Sequence, residues 1–361
     1  MKLACSRATV ILLVLITLGV LGCGGSSAAP STPAPGISGV HSAYVANAAS
    51  GNISEYAIDS KGVLNVISGS PFSISANATA LTMTPDGNLL YALDPAKNLI
   101  VEMSINSTTG VLTQIGTQST TSAPTSMAVD PKGKYLYLGN SAANSISVYG
   151  IGTDGKLTEA AYSPVAVNGP VHSVAVSAKG TYLFASVPST GSVYEFALDA
   201  TTGTPALHAG SPISIGTNPD FVAVSPDESF AVILDQSGLV NRVLINSTTG
   251  ALSLTAFSPF TANADPVQAI VDSSNSYIFI LSTTGKVINT VAFQTSGAPY
   301  QVSSTVLGAF PSAMAISGSN LYAVNEGDDN VMEFSLTTGV ATVLSPTAVA
   351  AGTSPAAIAV R

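Results

Sequence analysis

A seven-bladed β-propeller with four-stranded blades is the all-β fold that the sequence predicts. Three observations predict it. A short apolar segment ending in Val, Met or Ile recurs at Met83, Val129, Val176, Val224, Val271, Ile316 and Val360, in steps of 46, 47, 48, 47, 45 and 44 residues. The stretches between these anchors alternate apolar and polar residues and are broken by Gly turns, with no long helical pattern. A second kind of segment starts one unit earlier than the first, so a spare copy of the first is left at residues Pro355–Val360.

Each element follows from its local pattern. The anchored segment is the inner strand of a blade. A turn follows it, as in Thr84-Pro85-Asp86-Gly87 and Asp130-Pro131-Lys132-Gly133. A second strand is then centred on Tyr44, Tyr91, Tyr137, Phe184, Val232, Phe279 or Tyr322. A third alternating strand is predicted over 53–58, 100–105, 146–151, 193–198, 239–245, 287–293 and 331–336. A Gly-ended turn such as Asn106-Ser107-Thr108-Thr109-Gly110 closes it, and a weaker fourth strand often ends in Ser-Pro. Four strands in roughly 40–50 residues make a propeller blade. Blade one begins without an inner strand, and Pro355–Val360 supplies it, closing the ring and removing open sheet edges. An open solenoid or an eight-bladed ring would leave that strand unexplained.

Composition narrows the function. Of 361 residues, 46% are hydrophobic and only 9% charged, a balance that supports a large core rather than disorder. The net charge is −9, and without Lys2 and Arg7 the chain keeps 9 basic against 20 acidic residues. Such a body repels phosphate backbones, which argues against nucleic acid as a partner. The two cysteines, Cys5 and Cys23, both precede the repeats. A disulfide framework, a thiolate metal site and a cysteine nucleophile are therefore excluded from the repeat region.

The N-terminal segment reads as an address. Lys2 and Arg7 precede an apolar stretch, 8–22, too short for a confident membrane-spanning helix and suited to a signal peptide. Val20-Leu21-Gly22-Cys23 resembles a bacterial lipobox, which implies cleavage before Cys23 and lipidation of its sulfur. An ordinary secretory signal with an incidental cysteine is the competing reading. The division is thus a signal peptide at 1–22, a Gly/Ser/Pro tether at 23–39 and a propeller at 40–361. The expected location is the cell envelope, on the periplasmic or outer-membrane side if the cell is Gram-negative, with a lipid-anchored monomer.

Tyr44-Val45-Ala46-Asn47, Tyr137-Leu138-Gly139-Asn140 and Tyr322-Ala323-Val324-Asn325, with the Pro-Asp-Gly and Thr-Gly turns, are similar to the repeats of the lactonase-like, Tyr-Val-Thr-Asn family of seven-bladed propellers. The resemblance covers about residues 40–361. It implies the propeller fold, and it implies lactone hydrolysis as an activity.

Loop positions sort the chemistry. The loops entering inner strands share one face with the loops joining second and third strands, the usual ligand face of a propeller. Four residues before each anchor lies a ring position, filled by Thr79, Thr125, His172, Asp220, Val267, Ser312 and Ala356. His172 and Asp220 are adjacent in that ring and form a candidate general-base pair. The segment around His172 is also similar to a Pro-His segment of lactonase-like members. Hydrogen bonding to neighbouring loops is the structural alternative for both side chains. Lys97 and Lys286 fall on this face, as do Asp94, Asp235, Glu326, Asp328 and Asp329, while Lys61, Lys132, Lys134, Lys156 and Lys179 fall opposite. The arginine-rich subsite that a phosphosugar lactone needs is not visible.

Weaker signals are read structurally. The Gly150–Gly155 glycine pattern precedes a strand, not a helix, and is expected to be a hairpin turn. Three acids in Asn325–Asn330 offer calcium oxygen ligands, but a solvated turn is the preferred reading, so no metal and no cofactor are assigned. Glu55, Glu102, Glu195 and Glu333, with Arg242, recur at one third-strand position and read as structural; His41 and His208 read as surface residues. The resulting expectation is a binding or scaffold module whose ligand face takes a protein, peptide or glycan. The alternative is a lactonase-like hydrolase with His172 as base and Asp220 orienting it at the channel mouth.

Overall fold

The computed structural model describes residues 41–120, 123–216, 218–262, 265–293, 298–345 and 347–361. These residues form seven antiparallel sheets arranged as blades. Inner strands such as Ala80–Met83, Pro124–Val129 and Pro219–Val224 pair with second strands Leu89–Asp94, Tyr135–Asn140 and Phe230–Asp235. Third strands, such as Leu99–Ile105 and Ser145–Ile151, come next. Pro355–Val360 pairs antiparallel with Ser42–Asn47, so the last strand of the chain is the inner strand of blade one. The predicted closure and blade count hold.

The fourth strand differs from expectation in an informative way. In blades two and six it is continuous, Leu112–Ser119 and Tyr300–Val306. In blade one it is split, Leu64–Val66 and Phe72–Ser73, around Ser70-Pro71. Blades three, four and five are split at Ser163-Pro164, Ser211-Pro212 and Ser258-Pro259. Proline has no N–H for the ladder. The serine before it repairs the gap: Ser70, Ser163, Ser211 and Ser258 Oγ accept the N–H of Glu55, Val148, Glu195 and Arg242 on the third strand. The recurring Ser-Pro is a ladder break with its own patch.

Alternation along each strand sends neighbouring side chains to opposite blades. Tyr44 and Ala46 join Leu81, Leu90 and Val101 of blade two, while Ala43 and Val45 join Tyr322, Val324 and Val331 of blade seven. The buried apolar residues accordingly fall into seven clusters, one at each blade–blade interface. A propeller of this kind has no single central core, and its axis is left as a channel.

Candidate functional site

In four blades a ligand-face loop is held by the residue that ends the second strand. Asn47 Oδ1 accepts the N–H of Gly352, Asp94 Oδ2 that of Asn77, Asp235 Oδ2 that of Asn218 and Asn325 Oδ1 that of Gly308. Each bond ties the loop entering an inner strand to the end of the adjacent strand. Asp94 and Asp235, read from sequence as part of an acidic face, are fully buried in this role. Lys97 is also committed: its ammonium donates to the Ser75 carbonyl at 2.6 Å and stands 3.9 Å from Asp94.

The Asn325–Asn330 loop is committed in the same way. Asp328 accepts the N–H of Ala309, Asp329 that of Ser354, and Glu326 the hydroxyl of Ser354. The loop clips blade seven to the loops on either side of it. Among the described residues no group of three or more His, Cys, Asp or Glu side chains could hold a metal ion.

His172 and Asp220 are brought together. His172 Nδ1 lies 2.7 Å from Asp220 Oδ1, joining blade four to blade five. The imidazole side chain is 29% exposed and the carboxylate 8%. The backbone frame around them is rigid. His172 N donates to Ser186 O, and Ser186 Oγ donates to Asp220 O. With Nδ1 turned to the carboxylate, Nε2 is the ring nitrogen left for chemistry.

Two other members of the ring make bonds of a related kind. Thr125 Oγ1 donates to Val171 O in the next blade, and Ser312 Oγ to Pro355 O. His172 differs in pairing with a carboxylate and in remaining partly open to solvent. A cavity of about 500 Å³ lies at the opposite end of the channel, walled by inner-strand ends and the turns that follow, and His172 and Asp220 are not on its wall.

The recurring glutamates are structural, with one exception. Glu55 accepts the N–H of Leu112 in the next blade, Glu102 that of Leu157 and Glu333 that of Leu64. Glu195 instead faces His208, whose Nδ1 is 3.5 Å from its carboxylate. Its Oε1 is buried without a hydrogen-bond partner, and burial pushes this carboxyl up to about 7, with His208 opposing the rise. His208 is therefore not the plain surface residue read from sequence: it packs edge-on against Tyr182 with a side chain only 17% exposed. Sequence reasoning missed it because the partner lies 13 residues back, on the adjacent strand. Arg242, at the same register, lies 4.4 Å from the ring centroids of both Phe230 and Phe293.

Comparison with known proteins agrees with this architecture. Residues 39–174 match the family described as "Lactonase, 7-bladed beta-propeller". This chain is a seven-bladed β-propeller similar to that family over its first blades. A 6-phosphogluconolactonase of Sodalis glossinidius is 31% identical over 115 residues, which is 30% of this chain and 35% of that protein, so the match spans about a third of the relative. Among solved structures, a candidate 6-phosphogluconolactonase of Bacteroides uniformis has a TM-score of 0.79 at 17% identity, covering 90% of this chain and 100% of that one. The periplasmic gluconolactonase of Pseudomonas aeruginosa has a TM-score of 0.72 at 20% identity, covering 89% and 99%. At these identities the structural likeness shows the fold. The proteins it is similar to are described as lactonases, which fits the alternative read from the sequence better than the scaffold module.

Proposed function

We propose that this lactonase-like propeller hydrolyses an unphosphorylated lactone at the channel mouth, with His172 as general base and Asp220 as its positioning residue. The contact between His172 and Asp220 supports the reading. Asp220 accepts a hydrogen bond from Nδ1–H, so Nε2 takes a proton from water as the water oxygen attacks the lactone carbonyl. The tetrahedral adduct collapses, the ring C–O bond breaks, and the imidazolium returns its proton to the departing alkoxide. A free acid leaves, and both side chains recover their starting state.

The unphosphorylated substrate follows from the charges. Lys97 is already bound to Ser75 and Asp94, and Asp94 and Asp235 are buried on loop N–H groups of the same face. Among the described residues a phosphate dianion would find no free cluster of cations there.

The test is hydrolysis of gluconolactone and of its 6-phosphate by the full chain beside His172→Ala. The expected result is a preference for the unphosphorylated lactone and a loss of about 100-fold or more in kcat in the variant. Equal rates in both proteins would remove His172 from the mechanism. A second reading, a binding module in which His172 and Asp220 only clamp two blades, is favoured by the inter-blade bonds of Thr125 and Ser312. It predicts loss of stability in His172→Ala with no lactone turnover in either protein.

The address rests on residues 1–39, which lie outside the described residues. We propose lipidation at Cys23 and an envelope location, on the lipobox pattern alone. Cys23→Ser then moves the protein from the membrane fraction to the soluble one, and retention in the membrane fraction overturns the anchor.

A further inference from the structure

One carboxamide on the ligand face stands apart from the others. Asn168-Gly169 is the only Asn-Gly pair in the chain, and it lies in the loop entering the inner strand of blade four, four residues before His172. Asn168 is exposed. Neither its side-chain amide nor the N–H of Gly169 has a hydrogen-bond partner among the described residues. The backbone is fixed on either side of the pair. Asn168 N donates to Tyr194 Oη at 3.1 Å, and His172 N donates to Ser186 O. Gly169 has a φ of 145°, and a Cβ there would stand 2.5 Å from Ser189 Oγ and 2.7 Å from Val187. The fold therefore calls for glycine after Asn168, and glycine leaves its own nitrogen without a side chain to shield it.

The five Asn-Ser pairs are the next most open to the same chemistry, and the fold restrains them. Asn106 Oδ1 accepts the N–H groups of Thr108 and Thr109, and Asn246 Oδ1 those of Thr248 and Thr249. Such turns hold the carboxamide against the backbone ahead of it. Asn275 Oδ1 accepts the N–H of Asp227. Asn140 is buried, with Nδ2 on Ser147 Oγ. Ser145, which follows Asn144, is buried and paired with Asn140 and Ala166 on either side.

We propose that Asn168 is a self-modification site, converted to aspartate and isoaspartate by the nitrogen of Gly169. Hydroxide takes the proton of that nitrogen, which attacks Asn168 Cγ. The Cγ–Nδ2 bond breaks, ammonia leaves with a proton from water, and a five-membered succinimide remains. Water then adds to one of the two ring carbonyls and the ring opens. Opening on one side gives aspartate, and on the other isoaspartate, with one more methylene in the backbone. Water and hydroxide are the only co-reactants. Both products add a negative charge to the ligand face near His172. Isoaspartate also lengthens the segment between the contacts at Tyr194 and Ser186. The modification does not depend on the hydrolase reading.

The experiment incubates the folded full chain in mildly alkaline buffer at physiological temperature. Peptide mass mapping reads the exchange of amide for acid at each asparagine, and chromatographic retention separates isoaspartate from aspartate. The expected result is conversion of Asn168 about tenfold or more faster than of any asparagine in an Asn-Ser pair. Asn168→Gln, shown to be folded by circular dichroism, should lose the conversion at that position without gaining one elsewhere. In the urea-unfolded chain Asn106 and Asn246 are released from their turns and should convert several-fold faster than in the folded one. Absence of conversion at Asn168 in the folded chain overturns the proposal. Conversion of Asn106 or Asn246 at the rate of Asn168 in the folded chain overturns it as well. Rates at Asn106 and Asn246 that do not respond to unfolding would overturn the part assigned to the fold.

Discussion

The hydroxyl of Tyr322 donates to the carbonyl of Gly62 at 2.9 Å, linking the second strand of blade seven to a turn of blade one across 260 positions of sequence. The same bond joins Tyr44 to Gly110, Tyr91 to Gly155 and Tyr137 to Gly203, each time from one blade to the next. The glycine ends the turn before the fourth strand with positive φ, 75° at Gly110 and 68° at Gly203. A Cβ at Gly203 would stand 2.5 Å from the Tyr135 ring. Burial pushes the Tyr44 hydroxyl up to about 12, so these groups act as neutral donors throughout the physiological range.

Tyr322→Phe tests the closing bond. It leaves the buried Gly62 carbonyl without that donor and keeps the ring packed. The expected cost is about 1–2 kcal/mol, read as a lower urea midpoint with an unchanged slope. No loss in midpoint would mean that water replaces the hydroxyl and that closure rests on strand pairing alone.

The glutamate beside each tyrosine gives a sharper prediction. Glu55 is the cross-strand partner of Tyr44, and the two reach the same turn of the next blade, at Leu112 N–H and Gly110 O. In blade three the glutamate position holds Val148, the partner of Tyr137, and the corresponding residue of blade four is Pro205, which has no N–H to donate. Val148→Glu should therefore cost ~3 kcal/mol or more, by burying a carboxyl without its donor. Adding Pro205→Leu to that variant should recover part of the loss, because the leucine brings an N–H. A double-mutant cycle on urea midpoints measures the coupling, and additive effects would show that the two positions do not communicate.

These residues also show what the sequence could and could not reveal. Blade count and ring closure were legible because strand period and turn chemistry are local, and the displaced strand Pro355–Val360 carried its own pattern. The tyrosine and glutamate positions were legible as repeats, but their purpose was not: each partner lies in the following blade, and only the curvature of the ring brings it near. The acidic appearance of the ligand face misled for a related reason. Asp94 and Asp235 look like free charge in sequence, yet each accepts a loop N–H. His172 and Asp220, 48 positions apart, could be placed side by side because the repeat length matches one blade step. The cavity could not be placed, since anchor residues look the same whether they pack between blades or face the axis.

Glu195 makes stability depend on pH. Its carboxyl is raised from an ordinary value of 4.5 to about 7 in the folded chain. Between those values the folded state holds a proton that the unfolded chain has released, so stability falls as pH rises through that window and stays lower above it. His208 and Tyr182 are the neighbouring ionisable groups, and a protonated His208 softens the effect. Glu195→Gln removes the penalty. The variant should match the parent near pH 4.5 and exceed it by about 2 kcal/mol near pH 8. Urea midpoints at the two pH values check this, and a constant difference between the proteins would show that Glu195 does not titrate in the window.

The last prediction concerns Asp220 as a positioning residue. Asp220→Asn keeps the size of the side chain and can still offer an oxygen to His172, but it no longer stabilises an imidazolium formed during proton transfer. On the hydrolase reading, kcat for gluconolactone falls by about tenfold or more while KM changes little, since the substrate need not touch Asp220. In the double variant His172→Ala/Asp220→Asn the second substitution adds almost nothing, because Asp220 acts only through His172. Ser312→Ala is the control: it removes an inter-blade bond at the same ring position, Ser312 to Pro355, without touching the pair. If Asp220→Asn and Ser312→Ala lower stability alike and leave kcat alike, the contact between His172 and Asp220 is a clamp between blades and nothing more.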